Sequence, residues 1–183
     1  MAALLALALF AAALPPGSTY SADPAASAIR FQVVHKLHRV HGRATSLEGR
    51  AVSRPDGTVA AMVRVPLATL QTGDANRDQH MVETLEVNKY PFVVFKGVAR
   101  LGPGGELPPG PLTLEGQLDL HGVQRPVSLP LQVEPAAGGG LRARGGFEVS
   151  LDAYRIERPS LLFVKIEDAC RIDFDLLLRE DRR

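Results

Sequence analysis

Tryptophan is absent from this sequence, cysteine occurs once, and aromatic residues make up only 5% of the chain. A single cysteine, Cys170, excludes an internal disulfide, so an exported domain of this sequence must be held by its core alone. No cysteine directly follows the apolar N-terminal stretch, so an acyl-lipid anchor through cysteine is not expected. Charge is balanced, with 21 Lys and Arg against 20 Asp and Glu spread along the chain. No basic, aromatic-laced patch stands out, so nucleic acid is not an expected partner. No apolar run reaches the about 20 residues that cross a bilayer as a helix. The longest, "MAALLALALFAAALPPG", is apolar from Ala2 to Leu14 and uncharged. Its length suits the apolar region of a secretory signal, and Ala11-Ala12-Ala13 supplies small residues for cleavage, although no Lys or Arg precedes it. The expectation is a periplasmic or secreted protein, with 1–19 as the signal segment, a mature start between Leu14 and Ser21, and one domain over 20–180.

What is present is alternation. Hydrophobic residues form 45% of the chain, enough for a real core. In "LTLEGQLDLHG" Leu112, Leu114, Leu118 and Leu120 alternate with Thr113, Glu115, Gln117 and Asp119, the mark of a half-buried strand. "IRFQVVHK", "VSLPLQV" and "CRIDFDL" read the same way, and residues 44–52, 59–67, 92–100 and 141–151 add further candidates. Turn-like stretches separate them: "RPDG" at 54–57, "HGVQRP" at 121–126 and "PAAGGG" at 135–140. Only "NRDQHMVETLEV", 76–87, breaks the pattern and predicts a short helix, with Asn76 as cap, Gln79 in a capping-box relation, and Met81 and Leu85 on one buried face. The sum is an all-β domain of about eight antiparallel strands with a short helical insertion. That number closes into a small barrel able to hold one ligand, although alternation alone does not separate a barrel from a two-sheet sandwich.

Catalytic signatures are missing. There is no G-x-S-x-G, and "GPGGELPPGP" has too many prolines to cradle phosphate with backbone amides. No cofactor is implied. Cys170 falls in the inward phase of an apolar strand, where a small inert hydrophobe is expected. "HKLHRVHG" sets His35, His38 and His41 three apart, but on a straight strand that spacing alternates faces, leaving His38 opposite the other two. Convergence on a metal would need a turn inside the stretch. The plainer reading ends a strand at His35 and leaves the other two on a connection near the rim. "RDQH" at 77–80 is a polar cluster that would suit either a salt-bridged lid or a solvated helix face.

Several blocks in order, "LQTGDANRDQHM", "NKYPFVVFKG", "LEGQLDLHGVQRPVSLPL" and "RPSLLFVKIEDACRIDFDL", make the sequence resemble the YceI-like family of bacterial periplasmic polyisoprenoid-binding proteins, over about residues 19–178. The resemblance implies an extended lipocalin-like antiparallel barrel under a helix, with an elongated apolar interior for a polyisoprenoid or similar amphiphile. It puts His35 at the end of the family's first-strand pattern and Arg77, Asp78 and His80 on its R-D-x-H pattern, as a polar rim or helix lid. His38 and His41 are local additions. Two departures stand out: "LDAYRI" has Tyr154 and Arg155 where many members carry Phe and Gly, and "LEVNKYP" lacks a paired Phe before "YP".

Pattern and resemblance together predict a carrier rather than a catalyst. The inward phase nominates Ile29, Phe31, Val33, Val63, Val65, Val93, Phe95, Leu114, Leu118, Leu129, Leu131, Phe147, Val149, Ile172 and Phe174 as pocket residues. Such a carrier would meet a membrane transiently, and pairing as a homodimer across one barrel face is left open. Two alternatives remain: a metal protein or enzyme built on His35, His38, His41 and His80, and a structural envelope protein with a filled interior.

Overall fold

The computed structural model describes residues 13–35, 38–108, 110–158, 160–161 and 164–181. The expected leader lies outside the described residues as far as position 12.

Alternation sets the architecture. In β8 (Leu112–Leu120) the four leucines are buried while Thr113, Glu115, Gln117 and Asp119 are exposed, so each strand offers one face to a core. Eight strands do this in a ring: β1 (Thr19–Ala22), β4 (Glu48–Ser53), β5 (Thr58–Pro66), β7 (Phe92–Arg100), β8, β9 (Val123–Pro135), β10 (Leu141–Ser150) and β13 (Ala169–Glu180). They pair antiparallel in that order, and β13 returns to β1 through Tyr20↔Glu180 and Ala22↔Leu178. Closure decides for the barrel over the sandwich.

The wall divides along β13. Its C-terminal end holds β1, whereas Cys170–Asp175 pairs with β2 (Ala28–His35). Behind β2 follow β3 (His38–Ala44) and the two-residue β6 (Leu70–Gln71), so the sheet flares at this end. A separate small hairpin, β11 (Ser160–Leu161) and β12 (Val164–Lys165), stands beside the same end.

Two local expectations are corrected. His38 and His41 belong to a strand, β3, rather than to a connection: the chain reverses after His35 and pairs His35↔His38 and Gln32↔His41. The helix α1 (Ala75–Thr84) begins one residue before Asn76, and its cap is Asp74, whose carboxylate accepts the Arg77 backbone N–H at 3.0 Å. Asp74 wins because it sits in extended backbone, where a side-chain oxygen reaches the orphan amide of the first turn. The "HGVQRP" stretch does turn, but over His121 and Gly122 alone. Both have positive φ (55° and 71°), the geometry that joins twisted strands in a two-residue hairpin.

At the end remote from α1, Leu14 is 4% exposed and donates its N–H to the Gly105 carbonyl at 2.9 Å. Ser53 Oγ donates to the Pro15 carbonyl beside it. These contacts hold the segment before β1 against the barrel floor.

Candidate functional site

The interior is not filled. A cavity of about 720 Å³ runs from Leu14 and Leu107 at the floor to α1 at the mouth, within the about 300–1,000 Å³ usual for small-molecule sites. Its hollowness has a sequence cause: Ala51, Ala61, Gly97 and Gly116 are successive cross-strand partners on β4, β5, β7 and β8. A belt of side chains this small cannot reach the barrel axis. Aromatic rings also lie back against the wall rather than crossing it. A Cβ on Gly97 would meet the Phe95 ring at 2.5 Å, and one on Gly145 would meet Phe174 at 2.6 Å.

All fifteen apolar residues nominated from the inward phase border this cavity. Leu114, Leu118, Leu129, Leu131, Val65, Phe95 and Val149 are buried; Phe31, Val33, Val93, Phe147, Ile172 and Phe174 are half-buried, as are Ile29 and Val63. Sequence periodicity did not find Leu14, Leu107, Ile156 and Ile166, which border the cavity from loops, where no alternation marks the inward side. Cys170 sits in the same wall, and burial pushes its thiol up to about 11.

Polar groups reach the cavity mostly at the α1 end. Arg77, His80, Met81, Thr84 and Leu85 share one helical face and border it, the i, i+3, i+4 pattern of an amphipathic helix. His35 and His38 border it from β2 and β3. Asp78 does not: its carboxylate accepts from Thr72 N–H at 2.8 Å and Thr72 Oγ at 2.6 Å. Arg77 pairs with Asp74 and Thr72 rather than with Asp78, so no ion pair joins Arg77 to Asp78. The phase expected for the histidines is also reversed. The hairpin turns His35 and His38 to the same side, while His41, opposite Gln32, is on the outer side and exposed. Among the described residues no three His, Cys, Asp or Glu side chains come together as a metal site.

The sequence matches the family model for the YceI-like domain over residues 20–178. The chain belongs to this family. Its fold is similar to a polyisoprenoid binding domain from Saccharophagus degradans implicated in plant cell wall breakdown, at 20% identity, TM-score 0.73, covering 88% of this chain and 98% of that one. BcnA of Burkholderia cenocepacia is similar at 16% identity and TM-score 0.72, covering 85% and 98%. The YceI protein of Campylobacter jejuni follows at 13% and 0.57, covering 79% and 86%. No curated protein matches the sequence.

Both departures of this YceI-like chain lie at the mouth. Arg155 occupies the left-handed region (φ 57°, ψ 29°) despite its Cβ, a conformation costing about 1 kcal/mol that persists where surroundings impose it. The next residue, Ile156, is buried and borders the cavity. Tyr154 is buried, and desolvation raises its phenol above the ordinary value. Its carbonyl accepts from His121 Nδ1 at 3.1 Å, while His121 Nε2 lies 3.0 Å from a Glu86 carboxylate oxygen and the ring packs 4.8 Å from Tyr90. His121 thus links the end of α1, the β8–β9 turn and the loop after β10. Nothing in its sequence neighbourhood signals that, because its three partners lie 31 to 35 positions away.

The loop after β10 has a second clasp. Arg158 grips the Asp152 carboxylate with two bonds (2.8 and 2.9 Å) and donates to the Ile166 carbonyl at 2.9 Å. Asp168 accepts the Asp152 backbone N–H at 2.7 Å, and that bond holds its carboxyl below the usual range.

Proposed function

We propose that this YceI-like protein is a non-catalytic carrier that holds a polyisoprenoid or similar long-chain amphiphile, such as a prenyl quinone, prenyl phenol or fatty amide, inside its barrel. The observation that carries the reading is the apolar cavity of about 720 Å³, bordered along its length by inward strand residues. The similarity to a domain described as polyisoprenoid-binding supports it. The one thiol bordering the cavity among the described residues, Cys170, is held protonated by burial.

The energetics suit reversible carriage. A prenyl chain burying about 400 Å² of apolar surface gains on the order of 10 kcal/mol gross. Immobilising and ordering that chain offsets a large part. Sub-micromolar to micromolar affinity follows. The N-terminal apolar run with its small residues at 11–13 supports export to the periplasm or beyond.

The test is native mass spectrometry of protein expressed with export, then organic extraction and identification of what is released. A retained prenyl lipid or fatty amide is expected. A folded, empty protein that also takes up no prenyl lipid in vitro would overturn the reading.

A further inference from the structure

The outer face of the β2–β3 pair carries unmatched positive charge, and the strand register fixes its layout. Arg30 stands directly opposite Arg43, Gln32 opposite His41 and Val34 opposite Arg39. All are in the phase opposite to Phe31 and Val33, which border the cavity. β13 extends two of these rows, with Asp173 opposite Arg30 and Arg171 opposite Gln32. Arg30, Arg39, His41, Arg43 and Arg171 are exposed. Asp173 does not answer Arg30: its carboxylate accepts from Arg171 on its own strand, at 2.9 and 3.0 Å. Glu148 stands opposite Arg171, and the Glu167 N–H reaches the Val34 carbonyl at 2.8 Å. Among the described residues, none of these carboxylates, nor any other, forms an ion pair with Arg30, Arg39 or Arg43.

Other arginines on the barrel wall are matched by acids: Arg64 by Glu48, Arg142 by Asp175 and Arg179 by Asp23. Like charges directly opposite one another weaken a sheet, so the Arg30–Arg43 pair opposes folding unless an anion stands over it. We propose that this face docks on an anionic lipid surface, its guanidiniums meeting the phosphates of the headgroups. Arginine suits that contact because its planar fork can grip phosphate with two bonds. Charge complementarity selects an acidic partner, and the choice of a lipid surface rests on the carrier reading: the same two strands form the cavity wall with their other side. Nucleic acid fits less well, because none of the described residues on this face is a Phe, Tyr or Trp on which bases could stack.

The test is co-sedimentation of the exported protein with vesicles free of prenyl lipid, one set of pure phosphatidylcholine and one with about a third phosphatidylglycerol. The protein should pellet with the anionic vesicles and not with the neutral ones. Each of Arg30→Gln, Arg39→Gln and Arg43→Gln should weaken the partition about fivefold, and raising the salt well above about 0.1 M should abolish it. Arg54→Gln is the control, an exposed arginine in the β4–β5 turn at the other end of the barrel, and should change nothing. The melting temperature of the free Arg30→Gln and Arg43→Gln variants should not fall, which separates lost docking from lost fold. Equal binding to neutral and anionic vesicles, or anionic binding that survives all three substitutions, would overturn the docking face. So would a protein that ignores both vesicles while binding duplex DNA or polyglutamate through the same arginines. Uptake of prenyl lipid is read separately, so failure to dock leaves the carrier reading standing, and failure to take up lipid does not mimic failure to dock.

Discussion

The ring of Phe31 lies over Gly42, its cross-strand partner, so closely that a Cβ at position 42 would run into it. Phe31 is thereby folded against the wall, and the lumen beside it stays open. Gly42→Ala must push the ring inward or distort the β2–β3 pair, a cost of about 1–3 kcal/mol for overpacking. Thermal denaturation should show the loss, and titration with a prenyl series should show preference moving to shorter chains.

The small-residue belt makes the opposite experiment available. Ala61 borders the cavity between Ala51 and Gly97. Ala61→Phe should fill the middle of the lumen and weaken binding of a long prenyl alcohol by at least about tenfold, some 1.4 kcal/mol. The melting temperature should change far less than the affinity. Unchanged affinity would mean that the cargo does not pass this level of the barrel.

Cys170 gives a pH signature. Its thiol is pushed up to about 11 in the fold, against an ordinary 9.0. The folded state thus keeps its proton where the unfolded chain has lost it. The associated stability is fully present below pH about 9 and is lost as pH rises to about 11, on the order of 2–3 kcal/mol. Denaturant titrations from pH 8 to 11 should show the decline, and Cys170→Ala should make it shallower. Buried Tyr20 and Tyr154, also raised by desolvation, contribute in the same direction. At neutral pH the thiol should react with small alkylating reagents only slowly until the protein is unfolded.

Arg158 tests the mouth. Removing its grip on Asp152 and Ile166 should free the loop that carries Ile156 and Ile166 into the cavity wall. Arg158→Ala should speed amide exchange across 152–168 and accelerate ligand release several-fold. Global stability should fall by no more than about 1 kcal/mol, because the pair is partly exposed. Unaltered release would show that this loop does not gate the cavity.

Leu14 bears on processing. Cleavage after Ala13 would leave it as the first residue, in place beneath the barrel; cleavage near Ser21 would cut into β1. If the apolar run is a cleaved export signal, N-terminal sequencing of protein expressed with export should therefore begin at Leu14.

Much of the barrel was legible because a strand with one buried face writes that face into every second residue. Leu112 to Leu120 and Cys170 to Leu176 needed no tertiary information to be oriented. His38 was misread for the complementary reason: whether it joins His35 depends on how the two strands pair, here His35 opposite His38, and a shift of phase moves every side chain to the other face. Asp74 was passed over as cap because the helix starts where the backbone ceases to be extended, and the hydrophobic pattern begins later. Loop residues such as Ile156 and Ile166 carry no period at all. His121 is tied to partners that only the closed ring brings near.

Leu14 sits packed at one end of the barrel and α1 lies across the other, so the carrier reading has two unlike ends to choose between. If cargo enters past α1, an amphiphile goes in tail first and leaves head first. Loading and unloading would then share that end. On the carrier reading, whatever gives up the amphiphile and whatever receives it would then each meet the helix-bearing end, and so take turns there.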